Sequence, residues 1–294
     1  IGDSFSIGVV PHALHFTTIC ERELGVPVYN MGVSGTNPPE YLDMLIKEAL
    51  PLDPDLLVID IFVGNDLIFP TLPHAATDAG LRSWFDSANV LLCVVPGRLV
   101  RLAREQRSRT KEQGVVGTVQ GEGTEEVSES DLAARFPWVA DPTLEVPTLS
   151  EDTFMGTEIA RVREVCTESP ASFRKFFEAM SDIQKAAGGT PLVVMLIPDE
   201  YQVEDALWRA VLAKDPDGRF ERDRAQRILL PWFASQGIPC LDLLPILRAT
   251  PPLADGRRHL YHLSDTHFNA RGNRAAGDAL AEFLRPILKA IRTR

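Results

Sequence analysis

Two runs constrain this chain more than anything else in it: "DLLVIDIFVGND" (55–66) and "TPLVVMLIPDE" (190–200). Each is almost unbroken in apolar residues. A strand with one face in water alternates apolar and polar side chains, whereas a strand covered on both faces does not. Strands covered on both faces belong to parallel sheets, whose crossover connections lay helices over each side. The chain is therefore predicted to be an α/β protein built on a parallel sheet.

The segments between these runs agree. Residues 9–24 carry apolar positions at helical spacing and stop before Gly25. "VPVYNMG" (26–32) reads as a further buried strand, and "PPEYLDMLIKEAL" (38–50) as a helix opened by proline. Helical 222–237 leads into a short strand in 238–245, and 269–291 is a closing helix with small residues in its first turns.

The alternation breaks between residues 67 and 189. Helices are expected at 81–95 and 97–109, then at 149–166, started by Ser150 with Asp152 and Thr153, and at 172–189. Residues 108–131 are polar and Gly-rich, with too little apolar content for a core, and read as a mobile loop. The expectation is one domain over 1–294, with 67–189 a helical insertion capping one end of the sheet. Arg98, Arg101, Arg104 and Arg107 fall roughly on one helix face, read as a solvated face; contact with an anionic polymer or a membrane surface is the sharper alternative.

Composition narrows the function. The formal net charge of −11 lacks the basic footprint that nucleic-acid binding needs. No apolar run reaches the ~18–20 residues of a membrane span. Cys20, Cys93, Cys166 and Cys240 are scattered through apolar segments without a C-x-x-C pair, so they read as small buried side chains rather than zinc ligands.

Four short blocks carry chemistry. They are Gly2-Asp3-Ser4-Phe5, then "NMGVSGT" with Ser34-Gly35-Thr36, then Gly64-Asn65-Asp66 at the end of a strand run, then "SDTHFNARG" with Asp265 and His267 before a helix. A serine hydroxyl is a weak nucleophile until a base takes its proton, and the reaction needs donors aimed at the oxyanion it creates. The G-x-S-x-G elbow is absent, because Ser6 stands where its second glycine would be. Ser4 alone is better read as a helix cap, and Asn65 alone as a strand-end turn residue.

Together and in this order, the blocks resemble the SGNH hydrolases, also called the GDSL esterase/lipase superfamily. The resemblance runs through nearly the whole chain as ordered landmarks. It implies a three-layer α/β/α fold with a flavodoxin-like parallel sheet and a site at the carboxyl ends of the strands. It implies Ser4 as nucleophile, His267 as general base and Asp265 as the residue that orients it. The oxyanion donors it implies are the backbone N–H groups of Ser4 and Gly35 and the side-chain amide of Asn65. The common family pattern has Asp three residues before His; here Asp265 is two before, a spacing used by some bacterial members, including sugar O-acetyltransferase relatives. A backbone carbonyl is the alternative orienter, and His262 the alternative base. Phe5, Phe62, Leu67, Ile68 and Phe268 are expected to give the cleft apolar walls.

The function so implied is a serine esterase acting through an acyl-enzyme on a carbohydrate or other small ester, with no metal or organic cofactor. The alternatives are a sugar O-acyltransferase using the same triad and a non-catalytic carbohydrate-binding protein on the same fold. A small-molecule or glycan ester is the expected partner, and no nucleic acid. Family members also place an apolar strand before Gly-Asp-Ser, where this sequence has only Ile1. A first strand is therefore expected to be absent and the sheet to show a gap beside its neighbours. Membrane association, and a cell-envelope or secreted location in place of a cytoplasmic one, would depend on sequence upstream of Ile1.

Overall fold

The computed structural model describes residues 1–68, 129–167 and 173–293. The helices expected at 81–95 and 97–109, most of the loop expected at 108–131, the arginine series and Cys93 lie outside them.

Three strands form a parallel sheet in the order β1 (Leu57–Phe62), β2 (Leu192–Ile197), β3 (Cys240–Asp242). The register pairs Leu57 with Leu192 through Phe62 with Ile197, and Val194 with Cys240. Both apolar runs are thus strands, and both are buried nearly throughout. Alternate residues serve opposite faces. Ile59, Ile61, Val194 and Leu196 join one core cluster, and Phe62, Val193, Met195 and Ile197 another.

The described α-helices are α1 (Ser4–Ile7), α2 (Phe16–Leu24), α3 (Pro38–Met44), α4 (Glu129–Arg135), α5 (Pro137–Ala140), α6 (Glu151–Thr167), α7 (Arg174–Ala187), α8 (Glu200–Val203), α9 (Asp205–Leu212), α10 (Arg224–Ser235), α11 (Leu244–Ala249) and α12 (Ala270–Arg292). Helix α2 begins at Phe16, later than periodicity suggested, because Pro11 and an extended His15 interrupt the chain before it. It ends at Gly25, whose φ of 63° is left-handed and suits glycine. Ser150 does open α6, its Oγ accepting from Thr153 N at 3.3 Å.

Three sequence expectations need correction. Residues 26–32 are no strand: only Gly32 pairs, in a lone parallel bridge with Gly2. Ile1 and Gly2 lie beside β1, with Ile1 N donating to Val58 O at 2.9 Å and Asp60 N to Ile1 O at 2.9 Å. Gly2 O accepts from Val33 N at 3.0 Å. A cavity of about 580 Å³ lies before that pairing, lined by Cys20, Met31, Leu57, Val58, Leu280 and Leu284 among others. Residues 26–31 flank this cavity and, among the described residues, pair with no strand, so apolar β-branched composition alone does not make them one.

The second correction concerns the insertion. Its last helix, α7, is no cap. Phe176, Met180, Ile183 and Ala187 recur at i, i+4, i+7 and i+11, and the stripe lies in the same core cluster as β1 and β2. Adjacent parallel strands require a crossover, and α7 is its returning helix. The third correction is at 129–131, expected as the end of the loop and observed as the first turn of α4.

The small residues of α12 let it lie close to α2 and to the chain before it. A Cβ at Gly277 would sit 2.7 Å from Ile19 Cβ, and one at Gly272 would sit 2.0 Å from the Leu260 carbonyl oxygen. Gly272→Ala is therefore expected to destabilise the fold. Helix propensity favours alanine by only about 1 kcal/mol, whereas overpacking against fixed backbone costs about 3 kcal/mol. Urea unfolding should show the midpoint falling; a rise would mean that Leu260 yields freely.

Candidate active site

The first block forms a short helical turn. Asp3, not Ser4, caps it: Asp3 Oδ1 accepts from Phe5 N at 2.9 Å. Ser4 is the first helical residue and its hydroxyl is left for another partner. That partner is His267, whose Nε2 lies 2.8 Å from Ser4 Oγ although the two are 263 positions apart. His267 Nδ1 lies 2.7 Å from Asp265 Oδ1. A carboxylate only accepts, so Nδ1 carries the hydrogen and Nε2 is free to take the serine proton.

The short D-x-H spacing works for a local reason. Asp265 Oδ1 also accepts from His267 N at 3.0 Å. The carboxylate bends back to the backbone two residues on, as Asp does in turns, and this brings it against the ring. Burial alone would raise the Asp265 pKa, but the hydrogen bond and charge of His267 outweigh it and hold the carboxyl below its ordinary value.

The fourth block is anchored on both sides. Asn269 caps α12, accepting from Arg271 N at 3.0 Å and Gly272 N at 3.1 Å, and its amide donates to His259 O and Tyr261 O. Tyr261 and Phe268 form an antiparallel bridge across the loop. His262, the alternative base, is tied elsewhere. Its Nδ1 hydrogen bonds Glu145, its ring meets the Trp138 ring edge-on at 5.0 Å, and Glu145 also accepts from Leu263 N at 2.7 Å. His259 pairs with Asp255 at 2.6 Å.

The third block turns directly after β1. Asp66 braces it, accepting from Phe62 N at 2.9 Å and Tyr41 Oη at 3.0 Å. Burial, reinforced by the nearby Asp3 charge, pushes the Asp66 pKa well up. Asn65 is exposed, and its Nδ2 donates to Asp3 Oδ2 at 3.0 Å. Asp3 thus ties the first block to the third, capping the helix of Ser4 with one oxygen and accepting from the Asn65 amide with the other. Burial raises the Asp3 pKa against the opposing pull of the Asn65 and Phe5 hydrogen bonds. Gly35 lies in a turn that starts at Val33, beside the Gly2–Val33 hydrogen bond; its φ is 75° and the space beside its Cα is open.

Two residues of this arrangement were not legible as such in the sequence. Asp3 stood next to Ser4, but nothing in spacing revealed its bond to Asn65. The His15 Nε2 donates to Phe5 O at 3.0 Å and its Nδ1 accepts from Thr17 N at 3.3 Å, bracing α1 from behind. Burial lowers the His15 pKa, keeping the ring neutral as that pattern requires.

The expected apolar walls are corrected. Phe5, Phe62, Leu67 and Phe268 are at most 2% exposed, and Ile68 packs against the core. The three phenylalanines are a floor instead: the Phe5 ring lies 4.5 Å from Phe62, 5.0 Å from Phe268 and 5.2 Å from His267, while Leu67 and Ile68 belong to the other core cluster. Aromatic packing there fixes the imidazole from below. Cys20, Cys166 and Cys240 carry free thiols whose pKa values burial pushes up to about 12, 11 and 12, far from a reactive thiolate.

No protein-family model and no curated protein matches this chain. One solved crystal structure is similar over 98% of this chain and 94% of its own, at 14% identity and a TM-score of 0.42, a likeness too slight to inform fold or function.

Proposed function

We propose that the protein is a serine ester hydrolase of the SGNH type, and that its parallel sheet belongs to a three-layer, flavodoxin-like arrangement. The observation that carries the reading is the hydrogen-bonded chain Ser4–His267–Asp265. Core clusters on both faces of the sheet support the fold.

Ser4 Oγ attacks the ester carbonyl carbon while His267 Nε2 takes the hydroxyl proton. The oxyanion is held by the N–H groups of Ser4 and Gly35 and by the Asn65 amide hydrogen that Asp3 does not use. Collapse breaks the bond to the alcohol oxygen, which leaves with the proton from His267. Water then attacks the acyl-enzyme, giving its proton to His267, and the acid departs as Ser4 recovers its hydrogen. Asp265 fixes the tautomer and stabilises the imidazolium throughout.

An active-site serine reagent such as a fluorophosphonate tests this. Mass spectrometry should find the adduct on the Ser4 peptide and on no other serine; an unlabelled Ser4 in folded protein would sink the reading. Asn65→Ala should lower kcat by about 10²–10³ with a smaller change in KM, the cost of one oxyanion donor. Steady-state kinetics on p-nitrophenyl esters measures it, and a purely KM effect would remove Asn65 from the oxyanion hole.

A further inference from the structure

The chain between α5 and α6 lies along the loop that carries Asp265. Glu145 Oε1 accepts from His262 Nδ1, and Glu145 Oε2 accepts from Leu263 N at 2.7 Å. Thr148 N donates to Leu263 O at 3.0 Å, and Leu149 N to Ser264 O at 3.2 Å. Burial along this segment runs opposite to polarity. The Glu145 side chain is 6% exposed, whereas its neighbours Leu144 and Val146 are 59% and 83% exposed. A glutamate is buried only where it is paired. Here the carboxylate, and not its apolar neighbours, is what the loop takes hold of.

The contact falls on the approach to Asp265. Ser264, the residue before it, has a φ of 50°, a left-handed value that a non-glycine residue keeps only where its surroundings impose it. Asp265 N donates to His262 O at 3.0 Å, and His262 N to His267 O at 2.9 Å. Both bonds run between residues of the loop itself. The Tyr261–Phe268 bridge and the Asn269 amide hold the base of the loop. Glu145, Thr148 and Leu149 hold its tip, 262–264, from outside, and the Trp138 ring meets His262 on the same stretch.

We propose, resting on the hydrolase reading, that Glu145 is a positioning residue of the triad: it holds residues 262–264 so that the Asp265 carboxylate meets His267 Nδ1. It acts through Asp265 and not on the reacting atoms. A displacement of about 1 Å in such a group costs about 10²-fold in rate. The chemistry of the contact asks for a carboxylate. Each oxygen faces an N–H donor, and an amide could accept one while turning its own N–H on the other.

The test compares Glu145→Ala and Glu145→Gln with the wild type, alone and combined with Asp265→Asn, circular dichroism confirming the fold of each. For Glu145→Ala, kcat on p-nitrophenyl acetate should fall about 10- to 100-fold with KM within about twofold, and Glu145→Gln should lose less. On the Asp265→Asn background, Glu145→Ala should cost no more than about twofold further, because the group it positions no longer works. His262→Asn, which keeps an N–H for Glu145, should recover most of what His262→Ala loses. A Glu145→Ala protein that melts lower yet turns over as the wild type does, or a loss that adds in full to that of Asp265→Asn, makes Glu145 a structural residue and overturns the proposal. Proton NMR separates this from the hydrolase reading. The low-field resonance of the His267–Asp265 hydrogen bond should weaken or move upfield in Glu145→Ala. If no ester turnover depends on Ser4, the hydrolase reading fails; the resonance then decides, and an unchanged signal overturns the positioning role as well. Where Glu145→Ala does not fold, Glu145→Gln decides by the same readings.

Discussion

Ser4→Ala is expected to lower ester turnover by about 10⁴- to 10⁶-fold, and His267→Ala by a similar factor. The double variant should be no worse than either single one, because nucleophile and base act as one unit and removing either stops the proton transfer that activates attack. The remaining activity over uncatalysed hydrolysis would come from the oxyanion donors and from binding. The fold should tolerate Ser4→Ala, since Asp3 and not Ser4 caps α1. Circular dichroism and thermal melts confirm folding; kcat/KM on an activated ester gives the loss. A folded Ser4→Ala protein within about tenfold of wild type places the chemistry elsewhere.

Asp265→Asn is expected to lower kcat by about 10³–10⁴ while KM changes little. The carboxylate makes two bonds with one oxygen, to the ring and to the backbone of the same residue. An amide of the same shape keeps the turn but loses the charge that stabilises the imidazolium, and it can offer N–H where the ring needs an acceptor. The carboxyl is held below its ordinary pKa, so it is ionised across any practical assay pH. It follows that the stabilisation it lends the fold is present above its unfolded pKa and is lost only as pH falls through the lowered folded value. A loss of less than about tenfold would favour a backbone carbonyl as the orienting group and reduce Asp265 to a turn residue.

The sequence by itself located the three strands, with one false strand at 26–32, and set out the candidate blocks in order. Almost unbroken apolar runs at 57–62 and 192–197 pointed to strands covered on both faces, and periodicity placed α6, α7, α10 and α12 to within a turn but did not show α1, α4, α5, α8, α9 or α11. The resemblance of the four ordered blocks to the SGNH hydrolases put Ser4, Asn65 and His267 forward as candidates. Local chemistry also settled Gly25 as a helix stop, since only glycine takes a left-handed φ without cost.

What the tertiary structure decided were relations between distant residues. Periodicity cannot say that residues 26–31 pair with no strand among the described residues, because pairing is a property of two segments and not of one. Nor can composition distinguish a cleft wall from a core: Phe5 and Phe62 are apolar in either place, and only packing buries them under His267. The Asp3–Asn65 bond and the His15 brace on Phe5 join side chains that no local rule connects. Ser4 illustrates both halves. Its identity and neighbours were visible in eight residues, but whether its hydroxyl caps a helix or meets a base depended on where the chain returns 263 positions later.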